Sequence, residues 1–387
     1  MSLFELNETQ QAVRDLARDF ARRRIAPTAK DNDAHERFPA DILKELAELG
    51  LMGVNVPSVL GGTEAGAVSY ALAMMELSEA DASVSVTTGV NNMVAEAIVK
   101  FGSKAQREKY VPRICSGEYV AGSFALSEPH AGSDPRAMRT TAVRKGDRWI
   151  LSGSKQWITS GAHAGVFIVW ARTNDTDRGI SAFLVEAGTP GLVPGKAEDK
   201  MGLRASNTVT LSLDEVAVPL DAILGEEGYG FRIAMNALDG GRIGIGAQAT
   251  GILRAALSAS AAYAKERAAF GKPISEFQST QWKLADMATD ADAAELLVLR
   301  AAALKDAGVT FSREASMAKL YASEAVNRAV GQAVQIHGGY GFVKDYPVER
   351  YFRDARVTTI YEGTSEVQRL VIAREVLKST LGAEDHI

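Results

Sequence analysis

Near the end of the chain the stretch IYEGTSEVQ places one carboxylate, Glu362, after the run Val357-Thr358-Thr359-Ile360-Tyr361 and before Gly363. A solvated glutamate normally has polar neighbours, whereas this one sits between apolar side chains and a residue that lets the backbone approach a ligand closely. A carboxylate desolvated in this way can act as a general base. Three other segments suit a flat cofactor and its phosphates. In Phe124-Ala125-Leu126-Ser127-Glu128-Pro129-His130-Ala131-Gly132-Ser133-Asp134 a strand ends in a hydroxyl-rich turn. The stretch Lys155-Gln156-Trp157-Ile158-Thr159-Ser160-Gly161 sets an indole beside hydroxyls. It is either the wall of a planar heterocycle's site or a buried hairpin tryptophan. In Gln335-Ile336-His337-Gly338-Gly339-Tyr340-Gly341 a helix breaks into glycines. Their bare backbone either approaches a pyrophosphate or makes a C-cap turn.

Other chemistries lack candidates. Gly244-Ile245-Gly246-Ala247-Gln248-Ala249 matches G-x-G-x-x-A, and Glu266 stands at a plausible ribose distance. That fingerprint needs strands on both sides, whereas the flanking residues read as helix. The histidines at 35, 130, 163, 337 and 386 form no i, i+4 pair and no cluster with carboxylates, which predicts no metal site. Ser127 and Ser133 lie in no G-x-S-x-G, and Cys115, at a helix end, reads as structural.

The elements that must position these residues fall into three blocks. Asn7 with Gln10 forms a capping pair before a stripe of Val13, Leu16, Ala17 and Phe20. Pro39 opens a second helix, with Ile42, Leu43, Leu46 and Leu49 on one side and Gly50 as its stop. Residues 69–80 read as helix, and Ser103 with Gln106 opens a short one ending before Pro112. From about Val120 to Pro219 the period becomes two, with a hairpin around Lys145-Gly146-Asp147 and strands at 166–170, 180–185 and 208–213. Helices return after Gly230 at 231–267, 278–306 and 312–337, with one more near the C-terminus. The run 282–304 is apolar nearly all round, as in the middle of a bundle.

At 387 residues the chain has room for two or three domains of about 150 residues. A hydrophobic fraction of 46% is ordinary, and a net charge of −5 without a basic stripe argues against nucleic acid. No apolar run reaches membrane-spanning length, so no membrane partner is expected. One cysteine excludes an internal disulfide and fits a reducing compartment, with the cytoplasm as the default. Met1-Ser2-Leu3-Phe4-Glu5, with its early acid, does not resemble a secretory or transit peptide.

In order and spacing these segments resemble the acyl-CoA dehydrogenase family over essentially the whole chain. The likeness rests on Phe124 to Pro129 with Gly132-Ser133-Asp134, and on Trp157-Ile158-Thr159. It extends to Leu238-Asp239-Gly240-Gly241-Arg242-Ile243-Gly244, Arg267 with Phe270-Gly271, and Ile360-Tyr361-Glu362-Gly363-Thr364. It is strongest to the short-chain, or butyryl-CoA, branch. The resemblance implies a helical N-terminal domain (1–120), a β-barrel or β-sandwich middle domain (121–230) and a C-terminal four-helix bundle (231–387). It implies FAD, touched by Phe124, Leu126, Ser127, Gly132, Ser133, Trp157, Ile158 and Thr159, and beside the base by Thr364, Ser365 and Glu366. Arg267, Phe270, Gln278, Gln335, Ile336, Gly338 and Gly339 would reach the adenine and pyrophosphate of FAD in a neighbouring subunit, so a homotetramer, a dimer of dimers, is implied.

On the same resemblance Glu362 removes the α-proton of a short acyl-CoA while the β-hydrogen leaves as hydride to flavin N5, giving a trans-2-enoyl-CoA. The thioester oxygen would be held by the Glu362 N–H and a ribityl hydroxyl. Tyr361, Ile360 and the flavin would dry the pocket, and a side chain at Gly363 would crowd the thioester. Ser133, Asp239, Arg242 and Gly363 would line the substrate site, although Asp239 is alternatively an N-cap or a partner of Arg242. One branch carries its base just before the residue matching Arg242; here Gly241 stands there. His130 departs from the short-chain pattern. A straight C4 chain is expected, its depth set by residues of 71–99 and 231–238, and an electron-transferring flavoprotein is the implied acceptor. The rivals are an acyl-CoA oxidase, for which the chain is short, a dehydrogenase of branched or medium acyl-CoA, and an inactive helical scaffold.

Overall fold

The structure, a computed structural model, describes residues 5–176 and 179–381. The opening Met1–Phe4 and the histidine at 386 lie outside the described residues. Helix α1 (Glu8–Phe20) starts at the capping box of Asn7 and Gln10 and buries Val13, Ala17 and Phe20. It continues through a π turn (Ala21–Ile25) into α2 (Ala26–Ala34), with Pro27 tolerated in the first turn of that helix. Next comes α3 (Ala40–Glu48), then α4 (Gly66–Ala80), α5 (Ala82–Phe101) and α6 (Lys104–Cys115). The expected stop before Pro112 is corrected: α6 runs on to Cys115 because Val111, Ile114 and Cys115 are all buried against the core. A proline costs its helix one hydrogen bond, and packing outweighs that loss here.

The middle block is one sheet of β1 (Ala121–Ala125), β2 (Thr141–Lys145), β3 (Arg148–Thr159), β4 (Ala164–Arg172), β5 (Ile180–Glu186), β6 (Leu192–Ala197), β7 (Thr208–Pro219) and β8 (Ile223–Leu224). Its order is β6-β7-β3-β2-β4-β5-β8, with β1 parallel to β4. Along β4, Val166, Ile168 and Trp170 join the core of α5 and α6, while Phe167, Val169 and Ala171 face a second core with Trp149, Leu151 and Phe183. Burial on both faces explains the unbroken apolar run of this strand.

The C-terminal block opens with α7 (Gly230–Glu266), a single helix of 37 residues, and a short ribbon of β9 (Ala268–Ala269) and β10 (Lys272–Pro273). Then follow α8 (Gln278–Asp306), α9 (Ser312–His337), α10 (Val348–Ala355) and α11 (Ser365–Leu381). The glycines of α7 serve helix crossings and no phosphate loop. A Cβ on Gly246 would meet Val298 Cγ2 at 2.9 Å, and one on Gly251 would meet the Met75 carbonyl at 2.3 Å. Helix α8 corrects an expectation: it buries the single stripe Met287, Ala291, Ala294, Val298 and Leu299 and leaves Trp282 and Leu296 exposed. Within one chain it is therefore not buried all round. The two helical blocks are tied by Asp306, whose carboxylate caps α4 through the Ala67 and Val68 N–H groups at 2.6 and 3.0 Å, and by Arg353, bidentate on Asp33 at 2.7 and 3.0 Å. Among the described residues no helix is long and apolar enough to cross a membrane.

Candidate active site

Glu362 lies in the turn between α10 and α11, with φ +54°, and Gly363 follows with φ +89°. A glutamate in the left-handed region costs about 1–2 kcal/mol, so its surroundings must impose that conformation. Two side chains do so from below. Lys319 of α9, fully buried, donates from Nζ to the Gly363 carbonyl at 2.7 Å. Gln368 of α11, equally buried, donates from Nε2 to the Gly363 carbonyl at 2.9 Å and to the Glu362 carbonyl at 3.1 Å. Thr364 caps α11, its Oγ1 accepting the Val367 N–H at 3.3 Å. The need for glycine at 363 has a local cause: a Cβ there would stand 2.7 Å from Gln368 Nε2, in a backbone conformation few side chains adopt.

The Glu362 Oε2 is sealed from solvent and has no hydrogen-bond partner. Its carboxylate rests on the backbone of α7, where a Cβ on Gly241 would approach Oε2 to 2.7 Å. Desolvation pushes the carboxyl up to about 7, opposed by the positive charges of Arg242 and Lys319. A surface ion pair with Arg353 or Arg356 is not formed: Arg353 holds Asp33 and Glu349, and Arg356 bonds Thr359. Arg242 is buried against Asp239, Nη1 to Oδ1 at 2.5 Å, and Ser312 donates to the other Asp239 oxygen at 2.5 Å. Asp239 is thus the structural partner of Arg242. The Glu362 backbone N–H finds no acceptor among the described residues.

Before this carboxylate opens a narrow apolar cleft walled by Tyr70, Met74, Val86, Met93 and Ile245. Tyr361 backs the turn, its hydroxyl donating to Gln248 Oε1. Ile360 was expected to help dry the site, but its side chain is 52% exposed because the turn points it outward. The depth-setting stretch also moves along the helix: residues 71–99 line the cleft as expected, while α7 contributes Gly241, Gly244, Ile245 and Gln248 in place of 231–238. Helix α7 crosses α4 at Gly244, where a Cβ would meet the Tyr70 hydroxyl oxygen at 2.5 Å, so its face there is the one that looks into the cleft.

The two middle-block segments are joined to each other. The Gln156 N–H donates to the Ser127 carbonyl at 2.9 Å, and Ser123 Oγ donates to the Thr159 carbonyl at 2.7 Å. Beneath them Lys155, fully buried, donates to Glu128 Oε1 at 2.8 Å and to the Leu126 carbonyl at 3.3 Å. Trp157 is no buried hairpin tryptophan. It sits at a bulge between β3 and β7 with φ +63° and is 62% exposed. Phe124 packs on Trp170 with centroids 4.2 Å apart; Leu126 and Ile158 are buried; Ser127 and Thr159 are half-buried; Gly132 and Ser133 lie open. Ser365 is buried with its hydroxyl unpartnered, and Glu366 is exposed.

The remaining predicted residues lie on the C-terminal helices and the loops between them, and among the described residues none of them bonds to or stacks on the Glu362 turn. Arg267 lies over Tyr340 at 5.7 Å; Phe270 is 97% exposed; Gln278 and Gln335 are exposed; Ile336 is buried. Gly338, with φ +59°, and Gly339 have no heavy atom within 4 Å of where a Cβ would stand. FAD fits such residues. An exposed indole on a strand bulge beside backbone amides and hydroxyls suits an isoalloxazine, and open glycines near an arginine suit a diphosphate.

Sequence reading missed Lys319, Gln368, Tyr70 and Gln248. A trace of Lys319 existed, as a lone cation among Ala315, Ala318 and Ala322 on the buried face of α9. Gln248 stood inside the glycine motif set aside as helical.

Comparison with known proteins bears on this arrangement. The family patterns described as acyl-CoA dehydrogenase N-terminal, middle and C-terminal domains match residues 7–118, 123–216 and 228–377. The chain is 50% identical over 378 residues to the short-chain specific acyl-CoA dehydrogenase, mitochondrial, of Bos taurus, covering 97% of this chain and 92% of that protein. Butyryl-CoA dehydrogenase from Megasphaera elsdenii superposes with a TM-score of 0.94 at 43% identity, over 97% of this chain and 99% of the other. A chain from a structure described as the electron transferring flavoprotein of Acidaminococcus fermentans superposes with a TM-score of 0.95 at 45% identity, over 97% and 99% of the two chains.

Proposed function

The chain belongs to the acyl-CoA dehydrogenase family, a flavin-dependent oxidoreductase with FAD as cofactor, and from that premise we propose that it desaturates a short, straight acyl-CoA with Glu362 as the base. The observation that carries this reading is the buried, unpartnered Glu362 oxygen in a strained turn facing a narrow apolar cleft. Such a carboxylate is held near neutrality in its proton affinity, which suits removal of a weakly acidic C–H proton. The free Glu362 N–H supplies one donor for the thioester oxygen, stabilising the charge that develops as the α-proton leaves. Arg242, fixed by Asp239, and Lys319 hold positive charge behind the carboxylate.

FAD, when bound, supplies the acceptor for the β-hydrogen and its electron pair. Phe124, Leu126, Ser127, Gly132, Ser133 and Trp157 to Thr159 would hold its ring, with Thr364 to Glu366 beside the base. Arg267, Phe270, Gln278, Gln335, Ile336, Gly338 and Gly339 would hold the diphosphate end of a neighbour's FAD, making the enzyme a homotetramer. Ser133, Asp239, Arg242 and Gly363 belong to the acyl-CoA side. A C4 chain between the walls of Tyr70, Met74 and Val86 is supported by the likeness to short-chain and butyryl-CoA dehydrogenases. Electrons pass to an electron-transferring flavoprotein, and the buried lone thiol of Cys115 agrees with a reducing, cytoplasmic setting.

Glu362→Gln tests the assignment. It is expected to keep FAD and butyryl-CoA binding and to lose turnover by roughly 10²–10⁴-fold, the usual contribution of a general base. A variant within a few-fold of wild type would remove Glu362 from the reaction. Anaerobic addition of butyryl-CoA should bleach the flavin absorbance of the wild-type enzyme, and a clear preference in kcat/KM for octanoyl-CoA would overturn the chain-length reading.

A further inference from the structure

Lys319 is one of the largest fully buried side chains, yet among the described residues its ammonium has a single hydrogen-bond acceptor, the Gly363 carbonyl. A buried cation is costly unless a charge compensates it. Its surroundings are sparse: α9 brings Glu324, α11 brings Glu366, and α7 brings Arg242, which is already committed to Asp239. On the other sides of the turn, Tyr70 of α4 is neutral, Glu96 of α5 is held by Lys305 at 2.5 Å, and Arg374 of α11 acts on Arg242. Glu362 is the largest of the charges acting on Lys319.

We propose that Lys319 is the positioning residue of the base: its bond to the Gly363 carbonyl fixes the left-handed turn that aims Glu362 into the cleft, and its charge joins that of Arg242 in favouring the carboxylate. This rests on the reading of Glu362 as base. Two features of the geometry converge on it. The turn's two consecutive left-handed residues need anchors, and the anchors are two buried donors on different helices, of which only Lys319 carries charge. Burial raises Glu362 while lowering Lys319 to about 8, so each side chain supports the charged form of the other. Gln368 shares the mechanical part of the task, and Lys319 shares the electrostatic part with Arg242, the larger of the two charges acting on Glu362.

The experiment is an infrared titration of the Glu362 carboxyl in the FAD-loaded enzyme without substrate, with Glu362→Gln as the blank, for wild type, Lys319→Gln, Lys319→Met and Lys319→Arg. The two neutral variants are expected to titrate Glu362 about one pH unit higher, the size of one nearby charge, while the arginine variant stays near wild type. The pH profile of kcat should move by the same amount, with kcat down about fivefold at pH 7 and KM for butyryl-CoA within about twofold. A neutral variant that folds, retains FAD and titrates Glu362 as wild type does overturns the proposal. Should both neutral variants fail to fold, lysine-selective 15N NMR of the wild-type enzyme decides, because a Lys319 that is neutral before Glu362 ionises overturns it equally. Turnover retained in Glu362→Gln would end the base reading, whereas the infrared shift is read without turnover and stands or falls separately.

Discussion

Burial and charge compete at Glu362, and their balance predicts two pH dependences. With the Glu362 carboxylate as the proposed base, kcat/KM should rise with pH through about 7 and then level off, as initial-rate profiles with butyryl-CoA would record. Stability runs the other way. A carboxyl raised in the folded state binds its proton more tightly there than when unfolded, so its stabilising effect is full below about 4.5 and is lost as pH rises through about 7. Glu362→Gln mimics the neutral acid and should therefore gain on the order of 1–3 kcal/mol of stability at pH 8 and nothing at pH 4, as seen in thermal unfolding. An equal effect at both pH values would mean that the carboxyl is not held up by burial. The sequence exposed this residue because a charge between Tyr361 and Gly363 is anomalous on its own. Lys319, 43 positions upstream by residue number (362 − 319), left only the faint sign of a cation on an alanine face.

Helix α7 shows what an element adds to its residues. Its glycines suggested a phosphate fingerprint, but the helix runs unbroken through them, and each bare Cα admits a neighbour: Tyr70 at Gly244, Val298 at Gly246 and Glu362 at Gly241. A methyl on Gly241 would stand 2.7 Å from Glu362 Oε2. Gly241→Ala is accordingly expected to fold and to retain FAD while kcat falls at least tenfold, since a misplacement of about 1 Å costs up to 10² in rate. Unchanged kcat would show that the carboxylate does not rest on this helix during turnover. Helix type and approximate ends were legible from period, caps and glycine stops, as at Asn7 and Ser103. Pro112 misled because its cost is local and the packing that offsets it is not.

Across the whole molecule, α8 leaves Trp282 and Leu296 exposed, and the loop before it leaves Phe270 almost bare. Surface of this kind needs cover, and the tetramer proposed above supplies it. Sedimentation equilibrium should return four times the chain mass of 41.3 kDa, and a monomer at micromolar concentration would dismiss the arrangement of a cofactor shared between subunits. The order helix, sheet, helix, the residue singled out by its misfit at 362, and the segments proposed to face the flavin were determined by the sequence itself, since period, turn chemistry and local motifs act over a few neighbouring residues. Which cation lies behind the carboxylate, which stretch of α7 faces the cleft, and that Trp157 stands exposed on a bulge were decided only by tertiary structure. These depend on where distant helices and strands cross, and burial, desolvation and ion pairing act through space without regard to separation along the chain.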